Sequence, residues 1–226
     1  MAREVEVDGA VALRAAAPVA IDVDVRLRPS ARYVSRGGEK LEAALLRTQI
    51  DVRGALCLDV GSSTGGFTDC LLQHGAAHVT AVDAGYGQLA ASLRDDSRIT
   101  VRERTNARLL EALDEPVALA TLDLSFISLT AVLPAVVRSV APGGDLLALV
   151  KPQFEAPREH VQRGGVVRDP VVHAGAVARV ASWAVAHGLR VRGVIRSPLT
   201  GPAGNREFFI WLRRPAEAAP LRSTVA

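Results

Sequence analysis

The period of the apolar residues changes several times along the chain, and each change marks an element. Ile21, Val23, Val25 and Leu27 alternate with Asp22, Asp24 and Arg26, which predicts a strand. Before it, Val5-Glu6-Val7 runs into Asp8-Gly9, a hairpin signal. Pro29-Ser30 reads as a linker, so residues 1–31 form a small β appendage, too short to hold a core of its own. From Arg32 the spacing turns helical through Lys40, Leu41, Ala44 and Leu45. Short apolar runs then alternate with helical stretches. The runs Ala55–Val60, Val79–Val82, Ile99–Val101, Val117–Leu122, Leu146–Val150, Leu189–Ile195 and Phe208–Leu212 predict seven strands. Phe67–His74, Leu129–Val140 and Val171–His187 predict helices, the second stopped by Pro142-Gly143-Gly144. Residues 152–170 read as a long polar loop. Strands alternating with helices predict an α/β fold, a mostly parallel seven-stranded sheet with helices on both faces, over residues 32–213. Ala15–Ala17 and the tail 214–226 are expected to be loose.

Composition narrows the class. With 49% hydrophobic and 23% charged residues, the 226-residue chain is globular rather than disordered. No apolar run approaches the ~20 residues that span a bilayer, and Met1–Ala10 has no signal-peptide core. Cys57 and Cys70 have neither metal-ligand nor redox spacing and are expected to be buried thiols. A cytoplasmic protein without metal or membrane attachment follows as the expectation. A net charge of +3 permits a polyanionic partner without requiring one. Only Lys40 and Lys151 are lysines; the other 25 of the 27 basic residues are arginine. Where charge alone matters, such a bias replaces Lys. A lysine differs in that burial can bring its pKa into the working range. That makes both lysines candidates for chemistry, against the plain alternative of chance survival.

The segment Asp59-Val-Gly-Ser-Ser-Thr-Gly-Gly-Phe-Thr-Asp69 follows the first strand of the sheet. Glycines there let backbone approach a ligand, and in open α/β sheets ligands sit beyond the carboxyl ends of the strands. Asp83, ending the next strand, suits ribose hydroxyls. Gly61 is followed by glycines only at 65 and 66, so neither a dinucleotide fingerprint nor a phosphate loop is present. A carboxylate at Asp59 suits a cationic ligand better than a pyrophosphate. S-adenosylmethionine, with its sulfonium and ammonium, fits that balance.

Eight ordered segments carry a resemblance to a known family. They are Tyr33-Val-Ser-Arg-Gly-Gly-Glu-Lys-Leu41, Asp59–Asp69, Val82-Asp-Ala-Gly-Tyr-Gly-Gln-Leu89, Glu103-Arg-Thr-Asn106 and Leu122-Asp-Leu-Ser-Phe-Ile-Ser-Leu129. Leu149-Val-Lys-Pro-Gln-Phe-Glu155, Gly164-Gly-Val-Val-Arg-Asp169 and Ser197-Pro-Leu-Thr-Gly-Pro-Ala-Gly-Asn-Arg-Glu-Phe-Phe209 complete the set. Together they resemble the TlyA-type proteins, known as hemolysins or as ribosomal RNA 2′-O-methyltransferases, whose catalytic domain is similar to the FtsJ/RrmJ RNA methyltransferases. The resemblance implies a Rossmann-like class I methyltransferase fold and a catalytic tetrad of Lys40, Asp123, Lys151 and Glu207. The two lysines of the tetrad are the two that composition singles out. Cofactor contacts implied for S-adenosylmethionine are Asp59, Gly61, Ser62, Ser63, Gly65, Gly66, Phe67, Asp83 and Asp123. In the chemistry this implies, Lys151 orients a hydroxyl and acts as base, Lys40 lowers its pKa, and Asp123 and Glu207 hold the ammonium groups.

The acceptor is less legible. TlyA-type chains usually begin with an S4-like RNA-binding domain of roughly 60 residues. Here some 31 residues precede Tyr33, and they look like the β-rich tail of that domain without its helices. The first reading is an RNA enzyme with a truncated S4-like appendage, in which Arg32, Arg36, Arg158, Arg163, Arg168 and Arg206 meet phosphates. Phe126 would stack on adenine or on a substrate base, or else pack in the core. The second reading is methylation of a small-molecule hydroxyl in a biosynthetic pathway. A non-catalytic RNA-binding or membrane-lytic protein is the third, opposed by the complete tetrad and by the lack of a membrane-active amphipathic helix.

Overall fold

The computed structural model describes residues 5–12, 18–27 and 31–216. The expectations for Ala15–Ala17 and for residues 217–226 therefore lie outside the described residues. The chain divides into two units, Met1–Arg32 and Tyr33–Ala226.

In the first unit, β1 (Val5–Val7) turns at Asp8-Gly9 into β2 (Ala10–Val11), and β3 (Val25–Leu27) pairs antiparallel to β1 on its other side. The strand expected from Ile21 is shorter than its alternation suggested. Ile21 and Asp22 form a turn, and β3 pairs only as far as Val25, against Val7. Asp8 joins the turn to the third strand: its Oδ1 accepts from the Asp24 N–H at 2.9 Å.

The second unit is built on seven strands: β4 (Leu56–Val60), β5 (His78–Val82), β6 (Ile99–Arg102), β7 (Val117–Leu122), β8 (Val140–Val150), β9 (Arg190–Arg196) and β10 (Phe208–Arg213). They lie in the order β6-β5-β4-β7-β8-β10-β9. Every pairing is parallel except those of β10, which runs against both β8 and β9. From β4 the chain builds outward to β5 and β6, then returns past β4 to β7. The order reverses between β4 and β7, the place where open α/β sheets bind ligands.

Strand parity assigns the two faces. Leu58, Ala120, Leu146, Ala148 and Ile210 pack on the side of α4 (Leu129–Val137) and α6 (Pro170–Ala186). Cys57, Leu119, Leu147, Leu149 and Phe209 pack on the side of α1 (Gly37–Thr48) and α2 (Gly66–Gln73). Both cysteines are buried thiols, outside any disulfide, on that second side. In α1 the buried stripe Leu41, Ala44, Leu45, Thr48 has the spacing of a helix face. A Cβ on Gly38 would overlap the Tyr33 ring, so α1 can seat against that ring only with glycine there.

Two connections differ from the sequence reading. The helix expected to reach Val140 ends at Val137, and β8 begins at Val140. Val140 pairs with Val117, but Leu119 pairs with Asp145, so Ala141-Pro-Gly-Gly144 bulges out between them. The Pro-Gly-Gly sequence interrupts a strand rather than stopping a helix, and Gly143 takes a φ of 80° there. Residues 152–170 hold structure: α5 (Pro152–Glu155), a 3-10 turn at Arg158–His160 and a bridge between Gln162 and Val166. A further short helix, α3 (Ala91–Arg94), and a 3-10 turn at Ala107–Leu109 were not expected.

Candidate active site

The parallel strands β4, β5, β7 and β8 end on one edge of the sheet, at Gly61, Asp83, Asp123 and Lys151. Because β10 is reversed, it begins where they end: Phe208 pairs with Val150, which brings Glu207 beside Lys151. Counting by twos from Leu119, Leu149 and Phe209 reaches Asp123, Lys151 and Glu207. All three continue the face that α1 covers, and Lys40 stands on α1.

The four side chains form two ion pairs. Lys40 Nζ donates to Glu207 Oε2 at 2.6 Å, with Lys40 only 9% and Glu207 2% exposed. Lys151 Nζ lies 2.7 Å from Asp123 Oδ1 and donates to Ser125 Oγ at 3.1 Å. The first of these Lys151 contacts is a charge pair rather than a directed hydrogen bond, since Asp123 Oδ1 has no well-aligned donor among the described residues. Lys40, Asp123 and Lys151 line one cleft together with Arg36, Gly61, Ser62, Ser63, Gly66 and Phe67. Lys151 and Glu207 also line the next cavity. A Cβ at Gly201 would press on Glu207 Oε1, so glycine there leaves the carboxylate its room.

On the far side of Asp123 is a cavity of about 680 Å³ lined by Gly61, Ser63, Asp83, Gln88, Asn106, Leu124 and Phe126, among others. Gly61 has a φ of 86°, and a Cβ there would collide with the Asp123 carbonyl oxygen. Glycine thus permits the β4 turn to lie directly against the end of β7. The Gly61 and Ser62 N–H groups both donate to the Val82 carbonyl, at 2.8 and 3.1 Å. Asp83 accepts from Ser63 N–H at 2.8 Å and from Gly85 N–H at 2.6 Å, one bond per carboxylate oxygen. An ionised carboxylate has about four acceptor positions, so two remain for ribose hydroxyls. A nucleoside-sized cavity with a carboxylate at its ribose end and another, Asp123, at its mouth fits S-adenosylmethionine.

Two of the nine residues expected to touch the cofactor, Asp59 and Gly65, are placed otherwise. Asp59 lines neither cavity. It is 0% exposed, and its two oxygens accept from Thr68 Oγ1 at 2.7 Å and Thr121 Oγ1 at 3.1 Å. Burial pushes its carboxyl up to about 7, against the lowering effect of the two threonines. It ties α2 to the central strands beneath the glycine turn. Gly65, with a φ of 96°, is packed under Leu89 and Leu93. Phe67 does line the cleft, but it is largely buried and tilted against Phe209 at 5.9 Å.

The third space, about 840 Å³, opens beyond Lys151 and is lined by Phe126, Gln153, Phe154, Arg158, Gly164, Gly165, Asn205 and Glu207, among others. Phe126 separates it from the nucleoside cavity and lines both. It is 91% exposed with a φ of 64°, and its ring sits 5.1 Å from that of Phe154. A bulky residue in that conformation is strained, and here it holds an aromatic face open at the junction of the two spaces. Of the expected substrate arginines, Arg36 and Arg158 line the clefts, whereas Arg163 and Arg206 are exposed and line none.

Sequence reasoning missed the supports. Glu155, 3% exposed, accepts from Ser128 Oγ and from Leu129 N–H, both at 2.6 Å, which fixes the Lys151 side of the site to the start of α4. Asn205 donates to Gly165 O at 2.8 Å and accepts from Val167 N–H at 2.9 Å, pinning the loop over the third space. Both lie in segments that carry the family resemblance, which was the available signal. The Arg104 guanidinium stacks on Tyr86 at 4.2 Å, at the rim of the nucleoside cavity.

Comparison with known proteins places this arrangement. The model of the FtsJ-like methyltransferases matches residues 33–214. The 16S/23S rRNA (cytidine-2′-O)-methyltransferase TlyA of Mycobacterium tuberculosis is 49% identical over 222 residues, covering 96% of this chain and 83% of that protein. A solved structure of a hemolysin-type protein from Lactococcus lactis has a TM-score of 0.79 at 44% identity, over 83% of this chain and 91% of that one. An S-adenosylmethionine dependent methyltransferase from Mesorhizobium loti shares the fold, with a TM-score of 0.54 at 17% identity over 76% of this chain and 96% of that one. No described helix is long and apolar enough to cross a membrane. With the family model spanning the whole seven-stranded unit and a relative near half identical along almost the full length, the chain belongs to the FtsJ-like methyltransferase family.

Proposed function

We propose that the protein transfers a methyl group from S-adenosylmethionine to the 2′-hydroxyl of a ribose in ribosomal RNA, with cytidine as the acceptor nucleoside. The observation that carries this reading is the paired tetrad, Lys40–Glu207 and Lys151–Asp123, set between a nucleoside-sized cavity and a second open space. The acceptor class follows from the relatives named above.

When bound, S-adenosylmethionine supplies an electrophilic methyl group on a sulfonium. Gly61, Ser62 and Ser63 border its place, Asp83 takes the ribose hydroxyls, and Asp123 faces the cationic end. Lys151 acts in its neutral amine form: Nζ orients the acceptor hydroxyl and takes up its proton as the new C–O bond forms and the methyl–sulfur bond is given up, the sulfonium becoming a neutral thioether. Lys40, held by Glu207, flanks the same oxygen and favours the developing negative charge on it. Much of the rate then comes from fixing the acceptor in line. Phe126 offers the acceptor base a stacking face. Arg36 and Arg158 meet phosphates on either side, and Arg163, Arg168 and Arg206 stand further out. The small β unit near the N-terminus, read as S4-like, adds a second contact to the RNA.

The test is transfer of labelled methyl to ribosomal subunits and naked ribosomal RNA, followed by digestion to nucleosides. Label in a 2′-O-methylated nucleoside supports the proposal. Label confined to bases, or transfer only to small hydroxylated molecules, overturns it. Binding of the RNA should also weaken steeply with salt, because phosphate contacts release counterions.

A further inference from the structure

Gln153 is a polar residue without a task in the folded chain. It lies two residues after Lys151, in α5, and lines the third space beside Phe126 and Phe154. Its Oε1 is buried with no hydrogen-bond partner among the described residues. The neighbours on either side are committed: Lys151 to Asp123 and Ser125, Glu155 to Ser128 and Leu129. A buried acceptor left unpaired is costly, and native structures keep such groups rarely. A terminal amide offers a donor and an acceptor side by side, which matches the hydrogen-bonding edge of a nucleobase. The aromatic pair Phe126–Phe154 lines the same space, so a base stacked there would present its edge to the cavity wall.

We propose that the Gln153 amide hydrogen-bonds the base edge of the acceptor nucleoside, making it a determinant of acceptor recognition. This rests on the RNA reading given above. Nothing among the described residues holds the amide in one orientation. It can therefore turn to present either group, and pairing with the base satisfies the oxygen that the free protein leaves orphaned. The tetrad then sees the ribose of a nucleoside gripped by its base.

A two-by-two comparison isolates the contact. The full chain and Gln153→Ala are each given the mapped RNA acceptor and the same RNA with an abasic ribose at the methylated position. Single-turnover transfer is measured for all four combinations. The substitution is expected to slow transfer about tenfold or more on the base-containing RNA and to leave the abasic RNA nearly unaffected. S-adenosylmethionine affinity should not change. Because the amide stabilises nothing in the free protein, the melting temperature of Gln153→Ala should stay level or rise. Equal slowing on both RNAs, or a clear loss of stability, would overturn the inference while leaving the RNA reading intact. Absence of transfer by the unaltered protein to any ribosomal RNA would overturn both.

Discussion

Glu155 offers a test of how the fold holds the site together. Its carboxylate is nearly sealed from water and accepts two bonds of 2.6 Å, from the Ser128 hydroxyl and the Leu129 amide. Leu129 N–H is one of the orphan donors at the start of α4, and Glu155 Oε1 is its acceptor. Glu155→Ala removes both bonds and leaves a buried donor unsatisfied. A hydrogen bond to a charged group contributes about 1.5–3 kcal/mol, and an unmet buried donor costs about 1–3 kcal/mol. These overlap rather than add, so about 3 kcal/mol is the expected loss. At roughly 2–4 °C per kcal/mol for a chain of this size, the melting temperature should fall about 6–12 °C. Glu155→Gln keeps an acceptor for Leu129 and a donor for Ser128. Because burial already disfavours the charged form, raising the Glu155 pKa, the neutral isostere should melt within a few degrees of the parent. The effect should also reach the chemistry. Glu155 joins the segment after Lys151 to the segment after Asp123, so its loss loosens that pair. In-line transfer should drop about 10–100-fold in the alanine variant while S-adenosylmethionine binding, which rests on β4 and β5, is retained. Thermal unfolding and single-turnover transfer check both parts. An alanine variant that melts with the parent, or that melts early yet transfers at full rate, would refute the reasoning.

Two further predictions concern buried charge. Glu207→Ala strands the Lys40 ammonium without its partner and should cost about 3–5 kcal/mol by denaturant titration, whereas Lys40→Met combined with Glu207→Leu should recover much of that stability without restoring transfer. For Asp59, the folded protein holds the carboxyl proton up to about 7, well above the unfolded value. The folded state thus binds more protons than the unfolded one between about pH 4 and pH 7. The stabilising contribution is complete at low pH and lost as pH rises through that window. Asp59→Asn cannot titrate, so its stability relative to the parent should climb across the window, by about 4 kcal/mol at most for a shift of this size. A difference flat with pH would contradict the burial account.

Much of this site was legible because strands write their ends plainly. Gly61, Asp83, Asp123 and Lys151 each follow a short apolar run, and a parallel sheet carries all such ends to one edge. The scarcity of lysine marked Lys40 and Lys151 before any fold was in view. Other features depend on partners distant in sequence. Asp59 sits next to a ligand-binding turn and reads as a contact, yet parity turns it inward to Thr68 and Thr121. Pro142-Gly-Gly144 is a strong local stop, but whether it stops a helix or bulges a strand is decided by Val117 and Leu119 across the sheet. The polar stretch 152–170 has little periodicity, because Asn205 and Glu155 order it through bonds rather than through an apolar face.

The central claim is that Lys151 handles the acceptor proton in a site otherwise complete. The most direct measurement pairs calorimetry of S-adenosylmethionine with single-turnover methyl transfer to ribosomal RNA, for the parent and for Lys151→Ala. The account predicts cofactor affinity within about threefold of the parent and transfer reduced at least a hundredfold, in keeping with the usual contribution of a general base. Transfer near the parental rate in Lys151→Ala, with the cofactor bound, would contradict it.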